Sequence, residues 1–377
     1  MNSLFLKLIQ PLPIENLSAI NEDGFSTLKS QCLRHNLLPL VYTRLQKYRD
    51  AISRPGYAAD FLDKSKDVFL KGIALSARQE AKEKEIVAIL NDRGIPSVVV
   101  RGNAIAREIY DDPNCRASSD IDILIRLSDA TEVDSLFSEG GYSRSDNLPL
   151  QFWFYRIHHA VYRNPKGESI IEVHWNFGIP SFFNLSSEEI WGKVISTDSG
   201  YRLLPEMLVI MLLIHHHMHS FRELKILVDI LWSFQRYENA VDWKNLFAEL
   251  HRIGLIKTTQ ITLNQIKILW GESVKEISAI RIIRSELKRS GYNKEPTLLL
   301  SLSRMDIDRD HSFQNYRDKL VARLALDNSS TMIFSFVKTL FPVREAIKTL
   351  YDDRRNWTLP LNYLKFIKWR LTEGRRV

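Results

Sequence analysis

Residues 116–126 read RASSDIDILIR, and this stretch decides the fold. Asp120 and Asp122 stand on either side of one isoleucine and precede an apolar run. In a β-strand, alternate side chains point to opposite faces, so the two carboxylates would share one face. The other face would then bury three isoleucines in a core: Ile121, Ile123 and Ile125. The stretch therefore predicts a strand that carries two acidic side chains side by side.

Two neighbouring carboxylates admit two interpretations. Held together, they repel each other and lose hydration, an arrangement that a cation between them stabilises. The alternative is a strand that begins at a polar turn and leaves both aspartates solvated. For an Asp-x-Asp pair considered alone, the solvated strand is the commoner situation. The choice therefore depends on the rest of the chain.

The composition is that of a globular protein with a mild basic excess. The 377 residues suffice for two or three domains, and 45% of them are hydrophobic and 26% charged. The net charge of +7 suits a polyanionic partner such as a nucleotide, and it permits nucleic acid without requiring it. Two cysteines, Cys32 and Cys115, indicate no disulfide framework, so we expect a reducing, cytoplasmic setting.

We expect neither a signal peptide nor a membrane span. The short apolar patch at the start of the chain is followed at once by Pro11 and Pro13, with no small-residue cleavage site. The longest apolar run, 207–214, is far too short to cross a bilayer. A membrane partner is therefore not expected.

Apolar spacing divides the chain into three regions. Spacing of three and four residues predicts helices in the first part, where Pro55 and Gly56 interrupt the pattern and Gly94 ends it. Strand patterns follow, and the remainder is again mostly helical. The expected division is a helical region 1–90, a catalytic core 91–200 and a helical domain 201–377.

A glycine turn follows the first predicted strand. The β-branched run 98–100 leads to Arg101 and Gly102, and a short helix is predicted from Asn103. Free backbone N–H groups at a helix N-terminus can bind phosphate, and Arg101 and Arg107 would add positive charge. The chain has no GxGxxG or GxxxxGK[ST] pattern here, so an ordinary turn is the alternative.

Two later strands form a predicted hairpin. They read HHAVYR at 158–163 and SIIEVHW at 169–175, with a turn at 164–167. In the second strand, Glu172 and His174 share a face, and a glutamate within an apolar strand is costly to bury without a partner. The alternative is an edge strand whose glutamate faces water.

An apolar helix over 203–219 ends in four histidines: His215, His216, His217 and His219. His215 and His219 are one turn apart, a geometry able to bind zinc, but the HExxH pattern is absent. A helix C-terminus also favours histidine through its dipole. Asp229 lies within the apolar stripe of the next helix, and we expect it to pair with one of these histidines.

Together these motifs resemble the DNA polymerase β-like nucleotidyltransferase superfamily, with its glycine turn, Asp-x-[Asp/Glu] strand and third carboxylate. Over roughly residues 30–360 the chain looks more closely like a bacterial group of uncharacterised nucleotidyltransferases. Five marks carry this likeness: Arg101-Gly102, Arg116 before DIDILI, Glu172-Val173-His174-Trp175, the 215–219 histidines with Asp229, and Phe341-Pro342. The chain departs at Arg101, where lysine is more usual, and after Gly102, where a second small residue is missing.

The resemblance implies an α+β fold, a polymerase β-like mixed sheet embedded in helical N- and C-terminal regions. It implies transfer of a nucleoside monophosphate from a nucleoside triphosphate to a hydroxyl acceptor, with Mg²⁺ (or Mn²⁺) as cofactor and pyrophosphate released. The resemblance leaves the acceptor unidentified, with a small molecule, a protein side chain and an RNA end as the alternatives. The implied catalytic metal ligands are Asp120, Asp122 and Glu172. The implied nucleotide- and acceptor-binding residues are Arg101, Gly102, Asn103, Arg107, Arg116 and His174.

Other classes of function compete with this one. A catalytically silent protein on the same scaffold would bind a nucleotide or RNA without transfer. The basic last third of the chain permits RNA binding, but spread charge is usually a solvated face, so nucleic acid is not favoured. A zinc hydrolase centred on residues 215–219 is the least favoured alternative.

Overall fold

The structure is a computed structural model of the chain. It describes residues 3–13, 25, 27–48, 55–118, 120–146, 149–154, 156–164, 169–198, 200–292, 314–340, 344–351 and 358–372. Most of the predicted hairpin turn at 164–167 lies outside the described residues. So does the Phe341-Pro342 pair.

Helices make up most of the described chain. The first half holds α1 Ser3–Ile9, α2 Leu28–Arg34, α3 Leu38–Lys47, α4 Pro55–Asp92, α5 Asn103–Ile109, α6 Ala130–Glu139, α7 Leu150–Trp153 and α8 Ser187–Trp191. The second half holds α9 Pro205–Met218, α10 Leu224–Arg236, α11 Trp243–Ile253, α12 Ile256–Trp270, α13 Ser278–Arg289, α14 Gln314–Leu324, α15 Ser329–Leu340, α16 Arg344–Leu350 and α17 Leu359–Thr372. None of these helices combines the length and apolar composition that a bilayer crossing requires.

The strands form a mixed five-stranded sheet and a separate hairpin. They are β1 Ser97–Val99, β2 Asp120–Ile125, β3 Ser143–Arg144, β4 His159–Arg163, β5 Ile170–His174, β6 Val194–Thr197 and β7 Gly200–Leu203. The larger sheet has the order β1-β2-β5-β4-β3, with β2 and β5 parallel and the other neighbours antiparallel. The predicted α+β class and the β4–β5 hairpin pairing are confirmed. The short β3 and the β6–β7 hairpin were not predicted.

The isoleucine face of β2 packs into a core, as the alternation predicted. Ile121, Ile123 and Ile125 are all fully buried. They share an apolar cluster with the end of α4, with α6, and with α16 and α17, which are distant in sequence. One face of the sheet is therefore closed by helices, and the acidic face is turned the other way.

A larger core joins the start of the chain to its second half. Leu4 and Phe5 of α1 belong to the same apolar cluster as α9, α10 and α12. The indole nitrogen of Trp232 donates to the carbonyl of Ile9, and that of Trp270 donates to the carbonyl of Leu6, both at 2.9 Å. One core thus includes residues from all three expected regions. The division near residues 90 and 200 stays a prediction.

Candidate active site

The two acidic strands are parallel neighbours, which brings their carboxylates together. The register of β2 against β5 sets Asp122 opposite Glu172 and Asp120 opposite Ile170. Paired strands lie about 4.8 Å apart, so side chains that stand opposite on one face are close neighbours. Asp120 lies two residues before Asp122 on the same face. The three predicted carboxylates therefore meet on one face of the sheet.

Asp122 is almost fully buried and has two close partners. Its side chain is 3% exposed, and its Oδ1 lies 2.9 Å from His174 Nε2 and 3.2 Å from Arg101 Nη1. Burial by itself raises the pKa of this carboxyl. The Arg101 guanidinium and the hydrogen bond from His174 outweigh burial and hold the pKa of Asp122 below its usual value. Asp122 is therefore ionised at neutral pH, as a metal ligand has to be.

Glu172 faces the same cluster and does not stand on an edge strand. Its Oε2 lies 3.3 Å from His174 Nε2 and 4.0 Å from Arg101 Nη1. Burial raises the pKa of Glu172, but the hydrogen bond from His174 brings it below its usual value. Because β5 lies between β2 and β4, the alternative of a water-facing edge glutamate is wrong.

Asp120 is partly exposed and less tightly held. The Ser118 hydroxyl lies 3.0 Å from the backbone oxygen of Asp120 and 3.3 Å from its Oδ1, and it can donate to either. Burial, and then the negative charges of Asp122 and Glu172, raise the pKa of the Asp120 carboxyl. These like charges are the repulsion that a cation at this face would relieve.

Arg101 lies among the carboxylates. Its guanidinium contacts Asp122, lies 3.0 Å from His174 Nε2, and donates to His215 Nδ1 at 3.3 Å. The residue is 9% exposed. The predicted phosphate-binding arginine therefore reaches the site, where its present partners are the predicted metal ligands and two histidines.

Gly102 has a backbone conformation that requires glycine. Its φ of 61° and ψ of −122° are strongly disfavoured for a residue with a Cβ. A Cβ at this position would lie 2.6 Å from the Ser118 hydroxyl oxygen. The turn between β1 and α5 is therefore packed tightly against the chain that leads into β2.

Two of the predicted phosphate-binding side chains turn away from the carboxylates. Asn103 Nδ2 donates to the Ser76 carbonyl and to Glu83 Oε1, each at 3.1 Å. Arg107 pairs with Glu80 and Glu83 at 3.7 Å. All of these partners lie on α4. Asn103 and Arg107 thus fasten α5 to α4 in this structure.

Arg116 and Asp229 form a buried ion pair, which corrects one prediction. Both Asp229 carboxylate oxygens accept from Arg116 Nε, at 3.0 and 3.1 Å, and Asp229 Oδ1 accepts from the Tyr110 hydroxyl at 2.7 Å. Arg116 also donates to the Gly102 carbonyl at 3.0 Å. The expected pairing of Asp229 with a histidine is wrong, because α10 directs its carboxylate towards the glycine turn.

The histidines at the end of α9 have separate partners. His216 hydrogen-bonds to Gln265 and His217 to Thr258, and burial lowers the pKa of these two imidazoles to about 4 and about 3. His219 pairs with Glu223. Of the four, only His215 has a described contact with the predicted site residues, through Arg101. The zinc alternative at this helix end gains no support from the described residues.

Two groups of described side chains are close enough to share a metal ion. One is Asp122, Glu172 and His174, and the other is His158, His159 and His174. Within each group the ligand atoms lie within 4.8 Å of one another. The first group contains two predicted ligands, and its carboxylate oxygens suit Mg²⁺ or Mn²⁺. These residues therefore fit a divalent cation.

Sequence reasoning missed three residues near this site: His158, His159 and Lys225. The His-His pair at the start of β4 was visible in the sequence, but its approach to His174 depends on the register of β4 against β5. Lys225 Nζ donates to the Ala117 carbonyl at 2.8 Å. Burial, and then the Arg116 charge, lower the pKa of Lys225 to about 8. No motif in the sequence around Lys225 predicts that its side chain is buried close to the candidate site.

A comparison with known protein families matches residues 21–271 to the family described as uncharacterised nucleotidyltransferase. The chain belongs to this family. The matched segment contains all predicted site residues. It ends at residue 271, whereas the resemblance was expected to extend to about residue 360. Comparisons with curated proteins and with solved structures gave no match.

Membership of this family confirms the resemblance to uncharacterised nucleotidyltransferases that the sequence motifs indicated. It implies a nucleotide as substrate. The β2–β5 carboxylate face lies inside the family segment, and it is where two predicted ligands and a histidine converge. This face is therefore the candidate active site.

Proposed function

We propose that this nucleotidyltransferase is metal-dependent and moves a nucleoside monophosphate from a nucleoside triphosphate to a hydroxyl acceptor. We further propose a polymerase β-like core at residues 91–200, between helical regions 1–90 and 201–377. One observation carries the proposal: Asp122 and Glu172 stand opposite each other on parallel strands, with Asp120 on the same face. Carboxylates gathered in this way can hold the metal ions of a two-metal centre for phosphoryl transfer.

In the proposed reaction, the acceptor oxygen forms a bond to the α-phosphorus. The bond from that phosphorus to the bridging oxygen breaks, and pyrophosphate leaves with the electron pair. Mg²⁺, or Mn²⁺ in its place, would be held by Asp120, Asp122 and Glu172 and supplies, when bound, charge neutralisation and a more acidic acceptor hydroxyl. Glu172 accepts the hydroxyl proton, and His174 orients Asp122 and Glu172 through its ring nitrogen.

The triphosphate is the proposed second partner of Arg101. The Arg101 guanidinium is held by Asp122, and a divalent cation would neutralise the charge of that carboxylate. The guanidinium can also bind two phosphate oxygens at once, because its N–H groups form a planar fork. In this proposal Arg101 leaves Asp122 for the β- and γ-phosphates beside the Gly102 turn. Arg116 holds that turn in place by donating a hydrogen bond to the Gly102 carbonyl. Asn103 and Arg107 contribute by holding α5 in place.

A second candidate function has one observation in its favour. Arg101 lies 3.2 Å from Asp122 and 4.0 Å from Glu172, so one cation already compensates these ligands. A catalytically silent protein that binds a nucleotide or RNA without a metal ion would keep this arrangement. Its nucleotide affinity would then not depend on Mg²⁺, whereas the transferase requires that dependence.

The test uses each triphosphate labelled in turn at the α- and the γ-phosphate, with small-molecule, protein and RNA acceptors. Transfer retains the α-label in the product and releases the γ-label in pyrophosphate. We expect Asp120→Asn and Asp122→Asn to lose transfer, and Glu132→Gln, an exposed carboxylate on α6, to keep it. Unchanged turnover in both aspartate variants would refute the mechanism. Nucleotide binding without Mg²⁺ and without transfer would support the silent protein.

A further inference from the structure

Three imidazoles meet beside the carboxylate face. His159 opens β4 opposite His174 of β5, and His158 precedes it. The ring centroid of His174 lies 4.9 Å from that of His159 and 5.7 Å from that of His158. The rings of His158 and His159 are 4.5 Å apart. Of these three histidines, only His174 was a predicted site residue.

The spacing of the ring nitrogens suits a shared ion. One nitrogen from each of the three rings can be chosen so that all lie within 4.8 Å of one another. Imidazole nitrogens around a tetrahedral Zn²⁺ at about 2.0–2.1 Å would be about 3.3–3.4 Å apart. To bind an ion, the three rings would have to rotate closer together, and His174 would have to turn from Arg101 Nη2, which lies 3.2 Å from its Nδ1 and 3.0 Å from its Nε2. The backbone is already held, because the His158 carbonyl accepts from the N–H groups of Trp175 and Asn176.

Two of the imidazoles have a buried nitrogen that nothing in the described chain satisfies. His158 Nδ1 and His159 Nδ1 have no hydrogen-bond partner among the described residues. His158 is 9% exposed. A buried polar atom without a partner costs free energy, and an ion bound at one of these Nδ1 atoms would remove that cost for the ring concerned.

A carboxylate also lies beside these rings. Glu172 Oε2, 3.9 Å from His159 Nε2 and 3.3 Å from His174 Nε2, stands where it can supply a fourth, anionic ligand.

We propose that His158, His159 and His174, with Glu172 as the fourth ligand, bind one transition-metal dication such as Zn²⁺. Imidazole nitrogen suits Zn²⁺ and its neighbours in the first transition series, whereas Mg²⁺ prefers oxygen ligands. The site is thus chemically distinct from the proposed Mg²⁺ site of the transferase and shares Glu172 with it. Its existence does not depend on nucleotide transfer.

The experiment titrates the metal-stripped full-length protein with Zn²⁺ in a calorimeter and with Co²⁺ in a spectrophotometer. We expect one Zn²⁺ per chain, excess Mg²⁺ that does not displace it, and the visible absorption of tetrahedral Co²⁺. His158→Gln and His159→Ala should each weaken Zn²⁺ binding at least 10-fold. His251→Ala, an exposed histidine on α11, is the matched control and should bind Zn²⁺ as the wild type does. X-ray absorption at the zinc edge of the wild type counts imidazole ligands without any variant.

Two results would overturn the proposal. One is a folded wild type that binds no stoichiometric Zn²⁺ or whose bound zinc shows fewer than three imidazole ligands. The other is a folded His158→Gln or His159→Ala protein that binds Zn²⁺ as tightly as His251→Ala does. Asp120→Asn separates this proposal from the transferase, because Asp120 belongs to neither described ligand group. That variant should keep Zn²⁺ and lose transfer.

Discussion

Arg116 binds both oxygens of the Asp229 carboxylate, at 3.0 and 3.1 Å, and also donates to the carbonyl of Gly102. Both side chains are buried. One guanidinium therefore joins helix α10 to the glycine turn and to the chain that enters β2. Part of the candidate active site is thus positioned by a contact between residues 113 positions apart.

Asp229→Asn should destabilise the protein strongly. The change keeps the side-chain shape but leaves the Arg116 charge buried without its counter-ion, a loss that typically costs about 3–5 kcal/mol. Urea unfolding gives the free energy. Tyr110→Phe is the control, since it removes one hydrogen bond to the same carboxylate but leaves the ion pair, and it should cost about 1.5–3 kcal/mol. Equal, small losses in the two variants would contradict the importance of the ion pair.

Gly102→Ala should impair both stability and nucleotide binding. The conformation at φ 61° and ψ −122° costs a residue with a Cβ about 1–3 kcal/mol, and the added carbon displaces the Ser118 hydroxyl from Asp120. Gly94→Ala is the control, because Gly94 has a φ of 70° but no atom within 4 Å of the added carbon. Thermal unfolding with and without nucleotide checks the prediction. A smaller loss for Gly102→Ala than for Gly94→Ala would contradict it.

Arg101→Met should shift the site from nucleotide towards metal. Removing the guanidinium frees Asp122 and Glu172 from a competing cation, so Mg²⁺ or Mn²⁺ alone should bind several-fold more tightly. The same variant loses a phosphate ligand, so triphosphate should bind more weakly. Calorimetric titration of each ligand separates the two effects. Arg281→Met, on the exposed side of α13, should change neither affinity.

If Arg101→Met leaves the affinity for the metal ion and that for the triphosphate unchanged, the proposed exchange of partners by Arg101 is refuted. A loss of metal affinity would mean that Arg101 supports the ligands and does not compete with the ion. Either result would contradict the proposal that Arg101 moves from Asp122 to the phosphates when the nucleotide binds.

Glu83→Gln should stabilise the protein at alkaline pH but not at acid pH. Burial raises the pKa of Glu83 to about 7, above the unfolded value of about 4.5, although Arg107 and Asn103 oppose the shift. The stability that the raised pKa contributes is complete below pH 4.5 and is lost as the pH rises through 7. A shift of this size corresponds to about 3 kcal/mol.

The measurement is urea unfolding of wild type and Glu83→Gln at pH 5 and pH 8. Glutamine keeps the acceptor for Asn103 and never ionises. The exposed Glu132→Gln change should give the same small effect at both values. A Glu83→Gln protein that is less stable than the wild type at pH 8 would show that the pair with Arg107 outweighs burial.

Local pattern predicted what depends on local periodicity. Alternation along β2 put Asp120 and Asp122 on one face and the isoleucines in a core, and the structure has both. The periodicity could not predict which residues from different strands and helices contact each other. The parallel register that sets Asp122 opposite Glu172, and the β4 register that brings His159 to His174, arise from pairing between distant segments. Asp229 shows the same limit, since helical spacing gave its burial but not its partner.

Thermal stability in the presence of nucleotides is the most direct test of the central claim, that the β2–β5 carboxylates bind a metal–nucleotide complex. Wild type, Asp120→Asn and the control Glu132→Gln are each melted with the four nucleoside triphosphates, with and without Mg²⁺ or Mn²⁺. A ligand at about 100 times its Kd adds about 2.7 kcal/mol to the free energy of unfolding. The account predicts that at least one triphosphate raises the Tm of wild type and Glu132→Gln only with the divalent cation, and that Asp120→Asn loses this effect. No shift with any triphosphate, or an equal shift in Asp120→Asn, would contradict it.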